Sequence, residues 1–167
     1  MKTILAPVDF SAITPAVIER ATELGRAVGG RVVILHVAAP PIIPGDNTAM
    51  VVDLSRMYAK EAAGASTHLS RLKSQLHERG MDAETIATAG MPAAQILEQA
   101  QKLCADYIVM GSHGHGAIYD LLIGGTTHAV LNKAGCPVVV VPALLRDGSH
   151  AHARKGRRPA AKPGQSS

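Results

Sequence analysis

Tryptophan is absent from this 167-residue chain, phenylalanine occurs once, and aromatics make up 2% of it. The core must therefore be assembled from Val, Ile, Leu, Ala and Met, and the 47% hydrophobic fraction supplies them. The length suits one domain with a real core. No apolar run approaches the ~20 residues that a membrane helix needs, and the first residues carry no signal pattern, so no membrane association is expected. Cysteine is scarce: Cys104 and Cys136 are the two, and neither sits in a CxxC pair. That usage fits a reducing cytoplasm with both thiols buried.

Charge is missing where a phosphate site would ordinarily place it. No Lys or Arg occurs between Lys102 and Lys133. The net charge of +4 comes from the tail: residues 146–167 hold six Lys/Arg against Asp147 alone, which is +5. The remaining residues hold 11 Lys/Arg and 12 Asp/Glu, which is −1. The basic character therefore belongs to a tail that cannot bury enough apolar surface to fold alone. The tail is either solvated or in salt-sensitive contact with nucleic acid or another polyanion.

What is present is glycine, at one place. Met110-Gly111-Ser112-His113-Gly114-His115-Gly116 follows a strand-like run, and Gly124-Gly125-Thr126-Thr127 opens a helix-like segment. Glycines let backbone N–H groups turn toward a ligand, and a helix start adds unpaired N–H groups and the positive end of its dipole. The combination suggests a phosphate cradle. It is not a P-loop, because Ala117-Ile118 stand where Lys and Ser/Thr are required. It is not a dinucleotide fingerprint, because Tyr119 occupies the third Gly position. The alternative is that these glycines serve only as turns.

In chain order, Thr3–Val8 reads as a central strand ending at Asp9-Phe10-Ser11. Thr14-Pro15 reads as an N-cap and first helical position, with Val17, Ala21, Leu24 and Val28 on one face until Gly29-Gly30 stops the helix. Arg31–Val37 is a second strand, apolar enough to be covered on both faces. A loop from Ala39 through Asp46 precedes a long helix over roughly 51–79, whose stripe is Leu54, Tyr58, Ala65, Leu69, Leu72 and Leu76. Gly64 weakens it by about 1 kcal/mol relative to Ala. Ala83–Thr88 alternates as a strand near an edge. Gly90-Met91-Pro92 opens a helix with Ala93, Ile96, Ala100 and Leu103 inward. Tyr107–Met110, a helix from about 125 to 134, and Val138–Val141 complete the series.

The order βαβαβαβαβ predicts an α/β protein: an open five-stranded parallel sheet with right-handed crossovers and helices on both faces. Strands one and four meet at a switch point, which puts Asp9 beside the glycine loop.

Four separated motifs resemble the universal stress protein family, over nearly all of 1–142. They are Ile4-Leu5-Ala6-Pro7-Val8-Asp9-Phe10-Ser11, Leu35-His36-Val37, Ile108-Val109-Met110-Gly111-Ser112-His113-Gly114, and Cys136-Pro137-Val138-Val139-Val140-Val141. Gly111, Gly114 and Gly124 match the Gly-x2-Gly-x9-Gly spacing of its ATP-binding branch. The resemblance implies an adenine nucleotide alpha hydrolase-like fold, strand order 3-2-1-4-5, a dimer, and ATP binding. By that likeness Pro7 and Asp9 lie by the nucleotide, and Val37 helps to hold adenine by its backbone. Met110, Gly111, Gly114 and Gly124 line the ribose and phosphates by the same likeness, and Val8, Ser112, His113, Gly125, Thr126 and Thr127 are candidate binding residues beside them. The chain departs from the family at Gly125, where a Ser or Thr is usual. The missing hydroxyl would have given a charge-assisted hydrogen bond of about 1.5–3 kcal/mol. Thr126 takes its place if the helix start shifts by one residue; otherwise ATP binds about ten- to a hundredfold more weakly.

Asp9 has two readings: a ligand for Mg²⁺ or direct contact to the nucleotide, or a strand-end aspartate capping the next turn. His113-x-His115 lacks a third ligand for a transition metal. His36 reads as a sheet-end packing residue, Cys136 as a small hydrophobe, and Ser112 as a loop donor. Four valines at a sheet edge would be an aggregation template, so Val138–Val141 is expected to pair antiparallel with a second copy in a homodimer. The sequence thus predicts a cytoplasmic module binding ATP, or ADP or AMP, with Mg²⁺, and presenting a surface to a protein partner. Hydrolysis is expected to be slow at most, since no general base or arginine finger is evident. The competing expectation is a nucleotide-independent interaction protein of the same fold; a transfer enzyme would need a catalytic constellation that is not seen.

Overall fold

The computed structural model describes residues 1–39, 51–112 and 124–142, of which 51–63 are described as backbone only. The rest of the loop that begins at Ala39, the stretch from His113 to Ile123, and the tail from Ala143 lie outside the described residues.

Apolar, β-branched runs form five strands: β1 (Lys2–Val8), β2 (Gly30–Ala38), β3 (Ala83–Ala89), β4 (Tyr107–Gly111) and β5 (Val138–Val141). They pair in the order β3-β2-β1-β4-β5, all parallel. The helices between them are α1 (Thr14–Val28), α2 (Val51–Glu78), α3 (Pro92–Lys102) and α4 (Gly125–Lys133).

Alternation along the strands divides the core in two. Ile4, Ala6 and Val8 of β1 and Val32 and Ile34 of β2 cluster with Val17, Ile18 and Ala21 of α1 and Leu69 and Leu76 of α2. Leu5, Val33, Leu35, Ile108 and Met110 face the other way, onto Ile96 of α3 and Val130 of α4. Leu5, Val33, Leu35 and Ile108 have no exposed surface. Each such side chain contributes about 1.5–3 kcal/mol on burial, so the sheet interior carries the fold without aromatics.

Helix ends follow their local chemistry, with two departures from expectation. Gly29 caps α1 in the left-handed region at φ 64°. Gly30 does not stop the helix but already belongs to β2, where a Cβ would sit 2.6 Å from the Lys2 carbonyl oxygen. The N-cap of α1 is Ile13, not Thr14. The turn is organised one residue earlier than the Thr-Pro pair suggests: Ser11 gives both its N–H (3.0 Å) and its hydroxyl (2.6 Å) to the Asp9 carboxylate. The Ser11 carbonyl then accepts from the Thr14 N–H at 3.0 Å. Thr14 is drawn into the first turn, where its hydroxyl is buried without a hydrogen-bond partner among the described residues.

The amino ends of β1 and β4 are fastened together. Asp106 accepts the Lys2 ammonium at 2.7 Å and the Thr3 N–H at 2.8 Å, and its own N–H donates to the Thr3 carbonyl at 2.9 Å. The thiols are less uniform than expected. Cys136 is half-buried, and burial pushes its thiol pKa up. Cys104 is exposed in the turn after α3, at φ 47°, so burial does not account for it.

Candidate functional site

Pro7 opens the sheet at its carboxyl end. It pairs with Leu35 of β2 in register, but β1 pairs with β4 only through Ile4↔Tyr107 and Leu5↔Ile108. Proline has no N–H for a ladder, so the two strands part beyond Leu5. This is also where the chain order reverses, with β2 and β3 on one side of β1 and β4 and β5 on the other. Open α/β sheets bind ligands at such a point.

A cavity of about 760 Å³ occupies it, within the range of small-molecule sites. Its floor is made by Pro7, Val8 and Asp9 of the β1 end, Leu35 to Val37 of β2, and Met110 and Gly111 of β4. Gly124, Gly125, Thr126 and Thr127 form one side, and Phe10, Gly64, Ala65 and His68 contribute to the other. Pro92 and Ile96 of α3 complete the wall. The structure thus brings together the sequence-predicted residues of β1, β2, β4 and α4. Ser112 is buried behind this wall: its N–H donates to the Val141 carbonyl at 2.8 Å, and its carbonyl accepts from Gly124 N–H at 2.7 Å. His113 and Gly114 lie outside the described residues.

The start of α4 is the strongest donor feature of the cavity. Gly124 is its N-cap, with φ −68° and ψ 155°, and has no side chain to cap it. Its N–H is taken by Ser112, so the amides open to a ligand are those that follow, in the first turn of α4. Thr127 does not offer its hydroxyl to the cavity, because that group donates to the Gly111 carbonyl at 2.8 Å and ties α4 to the end of β4. Gly125 and Thr126 are exposed at the cavity rim. Among the described lining residues there is no Lys or Arg, and Asp9 is the acid.

Opposite α4 stands a ring cluster that the sequence did not reveal. Phe10 stacks on His36, with ring centroids 4.4 Å apart and planes at 28°, and meets His68 edge-on at 5.0 Å. Phe10 holds φ 60°, a conformation a bulky side chain rarely adopts. His36 is buried and sits 3.0 Å by Nδ1 from the Val8 carbonyl. A carbonyl only accepts, so Nδ1 carries the hydrogen. Packing at the sheet end is therefore half of the role of His36; the other half is to form the cavity wall. The available signal was Phe10 itself, the sole Phe, directly after Asp9. His68 gave none, since it sits one residue from the buried Leu69 on an otherwise ordinary helix.

No group of three or more His, Cys, Asp or Glu among the described residues is arranged to hold a metal ion. A divalent cation here would need Asp9 together with oxygens from a ligand and water, which is ordinary for Mg²⁺. The Asp9 carboxylate already serves the turn by accepting from Ser11, so the turn-capping reading is realised and a metal would share that carboxylate.

Fold and cavity define an open, doubly wound α/β protein with a ligand-sized cleft at its topological switch point. The universal stress protein family model matches residues 1–142, and the chain belongs to that family. Universal stress protein A homolog 1 of Coxiella burnetii is 32% identical over 143 residues, covering 84% of this chain and 95% of the relative. The solved structure of MJ0577, a universal stress protein of Methanocaldococcus jannaschii, superposes with a TM-score of 0.75 at 27% identity, covering 85% of this chain and 96% of that one. The universal stress protein from Archaeoglobus fulgidus in complex with dAMP shares the fold at 22% identity and a TM-score of 0.60, over 84% and 96% of the two chains. Among the described residues no helix is long and apolar enough to cross a membrane.

Proposed function

We propose that this chain is a cytoplasmic, homodimeric module that binds ATP, or ADP or AMP, and presents a nucleotide-dependent surface to a protein partner. One observation carries the reading: the uncapped start of α4, with Gly125 and Thr126 exposed at the rim, opens onto the cavity beside Asp9 and Val37. Unpaired amides and a helix dipole favour an anion there. The apolar floor of Pro7, Leu35, Val37 and Met110 suits a purine. The dAMP bound by the Archaeoglobus fulgidus protein supports the adenine class.

Phosphate charge would be met by main-chain amides, with Mg²⁺ shared between Asp9, phosphate oxygens and water. Thr126 stands in for the hydroxyl that Gly125 lacks. Hydrolysis is slow or absent in this reading, since no arginine faces the cavity among the described residues. The dimer forms through Val138–Val141: β5 is an edge strand, and Val139 (40% exposed) leaves apolar surface there to cover.

Calorimetry with ATP and Mg²⁺ tests the proposal, with Gly114→Val as the control. Saturable heat that is lost in Gly114→Val is the expected result. No heat at millimolar ATP would favour the second reading, a nucleotide-independent interaction protein, for which Gly125 is the specific observation. Truncation at Arg146 tests the tail: unchanged retention on RNA and DNA at low salt rules out polyanion contact.

A further inference from the structure

The imidazole of His36 is held in one orientation. Its Nδ1 hydrogen goes to the Val8 carbonyl at 3.0 Å, and Phe10 covers one face with 4.4 Å between ring centroids. With the hydrogen on Nδ1, Nε2 of the neutral ring is an acceptor and nothing else.

That second nitrogen has no hydrogen-bond partner among the described residues. It is not sealed off either. Thr14 Oγ1 is the one fully enclosed side-chain nitrogen or oxygen without a partner among the described residues, so Nε2 keeps accessible surface. His36 as a whole is 8% exposed, and the cavity it lines is the larger one. Nε2 therefore opens there, with little room for water around it.

The neighbouring side chains do not supply a donor. The Asp9 carboxylate accepts from Ser11, Phe10 has none to give, and the Thr127 hydroxyl donates to the Gly111 carbonyl. The two sides of the cavity thus differ in hydrogen-bonding character. The start of α4 offers amides that donate, and the ring cluster opposite offers an acceptor. A preset acceptor in so confined a place favours a ligand that brings an N–H, and disfavours one that brings a second lone pair.

We propose that His36 Nε2 accepts a hydrogen bond from the exocyclic amine of the bound purine, and so selects adenine over a purine with a carbonyl at that position. The inference rests on the nucleotide reading: with phosphates at α4, the base is the end of the ligand left to meet the ring cluster. Adenine presents an amine there, whereas a 6-oxopurine presents an acceptor whose lone pairs would face those of Nε2.

Nitrogen-15 NMR of the isotope-labelled full chain tests this at about pH 8, where imidazoles are neutral. The ligands are ATP and ITP with Mg²⁺; ITP carries the carbonyl in place of the amine. In the free protein the His36 hydrogen should sit on Nδ1. ATP should move the His36 Nε2 resonance saturably, together with the Gly125–Thr127 amides. ITP should move those amides while leaving Nε2 nearly in place, and should bind about tenfold more weakly in calorimetry. His36→Asn keeps an amide hydrogen for Val8 and has no atom at the Nε2 position, so its preference for ATP should fall to about threefold or less. The NMR measurement on the parent stands whether or not that variant folds. The proposal is overturned by an Nε2–H tautomer in the free protein, by equal affinity for ATP and ITP, or by an undiminished preference in His36→Asn. It is overturned alone if ATP moves the Gly125–Thr127 amides and leaves Nε2 in place. If ATP moves neither, the nucleotide reading falls with it.

Discussion

Replacing Gly125 by serine probes whether the α4 start holds phosphate. Gly125 is the first residue of α4, is exposed, and a Cβ built there meets nothing within 4 Å among the described residues. A serine therefore clashes with none of the described residues, and α4 should gain up to about 0.5 kcal/mol from the better helix propensity alone. Its hydroxyl would stand at the cavity rim. A hydrogen bond to a charged group is worth about 1.5–3 kcal/mol. The rim is open to water and Thr126 is already present, so the lower end applies. ATP should then bind about tenfold more tightly, since ~1.4 kcal/mol is a factor of ten. Adenosine, which has no phosphate, should bind as before. Calorimetry on the parent, Gly125→Ser, Thr126→Ala and the double variant completes a cycle. Thr126→Ala should weaken ATP binding in the parent and matter little in the Gly125→Ser background. Unchanged ATP affinity in Gly125→Ser, or equal tightening of adenosine, would refute the placement of phosphate at this helix start.

Gly64 sits exposed within α2, and a Cβ there meets nothing among the described residues. Gly64→Ala should stabilise the fold by about 0.5–1 kcal/mol in urea unfolding; a loss of stability would show that the glycine has a packing role. Lys2 holds the Asp106 carboxyl below its ordinary pKa of 3.8, through their hydrogen bond first and the Thr3 N–H next. Asp106 in turn raises the Lys2 ammonium above 10.5. The Asp106 contribution is thus present above about pH 3.8 and lost as pH falls through its lower folded-state value, and the Lys2 contribution is lost only as pH rises beyond 10.5. The stability gap between the parent and Asp106→Asn should be level between those limits and shrink on acidification; a gap that widens in acid contradicts this. Val139→Lys should yield monomers in sedimentation if β5 pairs with its copy, with the fold unchanged by circular dichroism; a persistent dimer would place the interface elsewhere.

Most of the architecture could be read from residue pattern because each element declares itself locally. The runs at Thr3–Val8, Arg31–Val37 and Val138–Val141 are β-branched and short, and the stripe of α2 recurs at helical spacing through Leu69, Leu72 and Leu76. The cavity floor followed from topology, since Asp9 and Gly111 end strands that had to be neighbours. What escaped was set by contacts between distant segments. Thr14 looked like a cap until the Asp9–Ser11 turn claimed that role one step upstream. The ring cluster needs Phe10, His36 and His68 from three elements, and no spacing encodes their meeting. Nor could sequence show that Gly124 and Thr127 direct their hydrogens inside the protein, to Ser112 and Gly111.

Pro7 and Asp106 sit at opposite rims of the same pair of strands, one prising them apart and the other clamping them. The molecule therefore separates two demands that often compete in a single region. Its cohesion is concentrated where Lys2, Thr3 and Asp106 meet, and its vacancy where β1 and β4 diverge. Substitutions along the diverging rim can retune what is recognised while the clamped rim keeps the same scaffold standing.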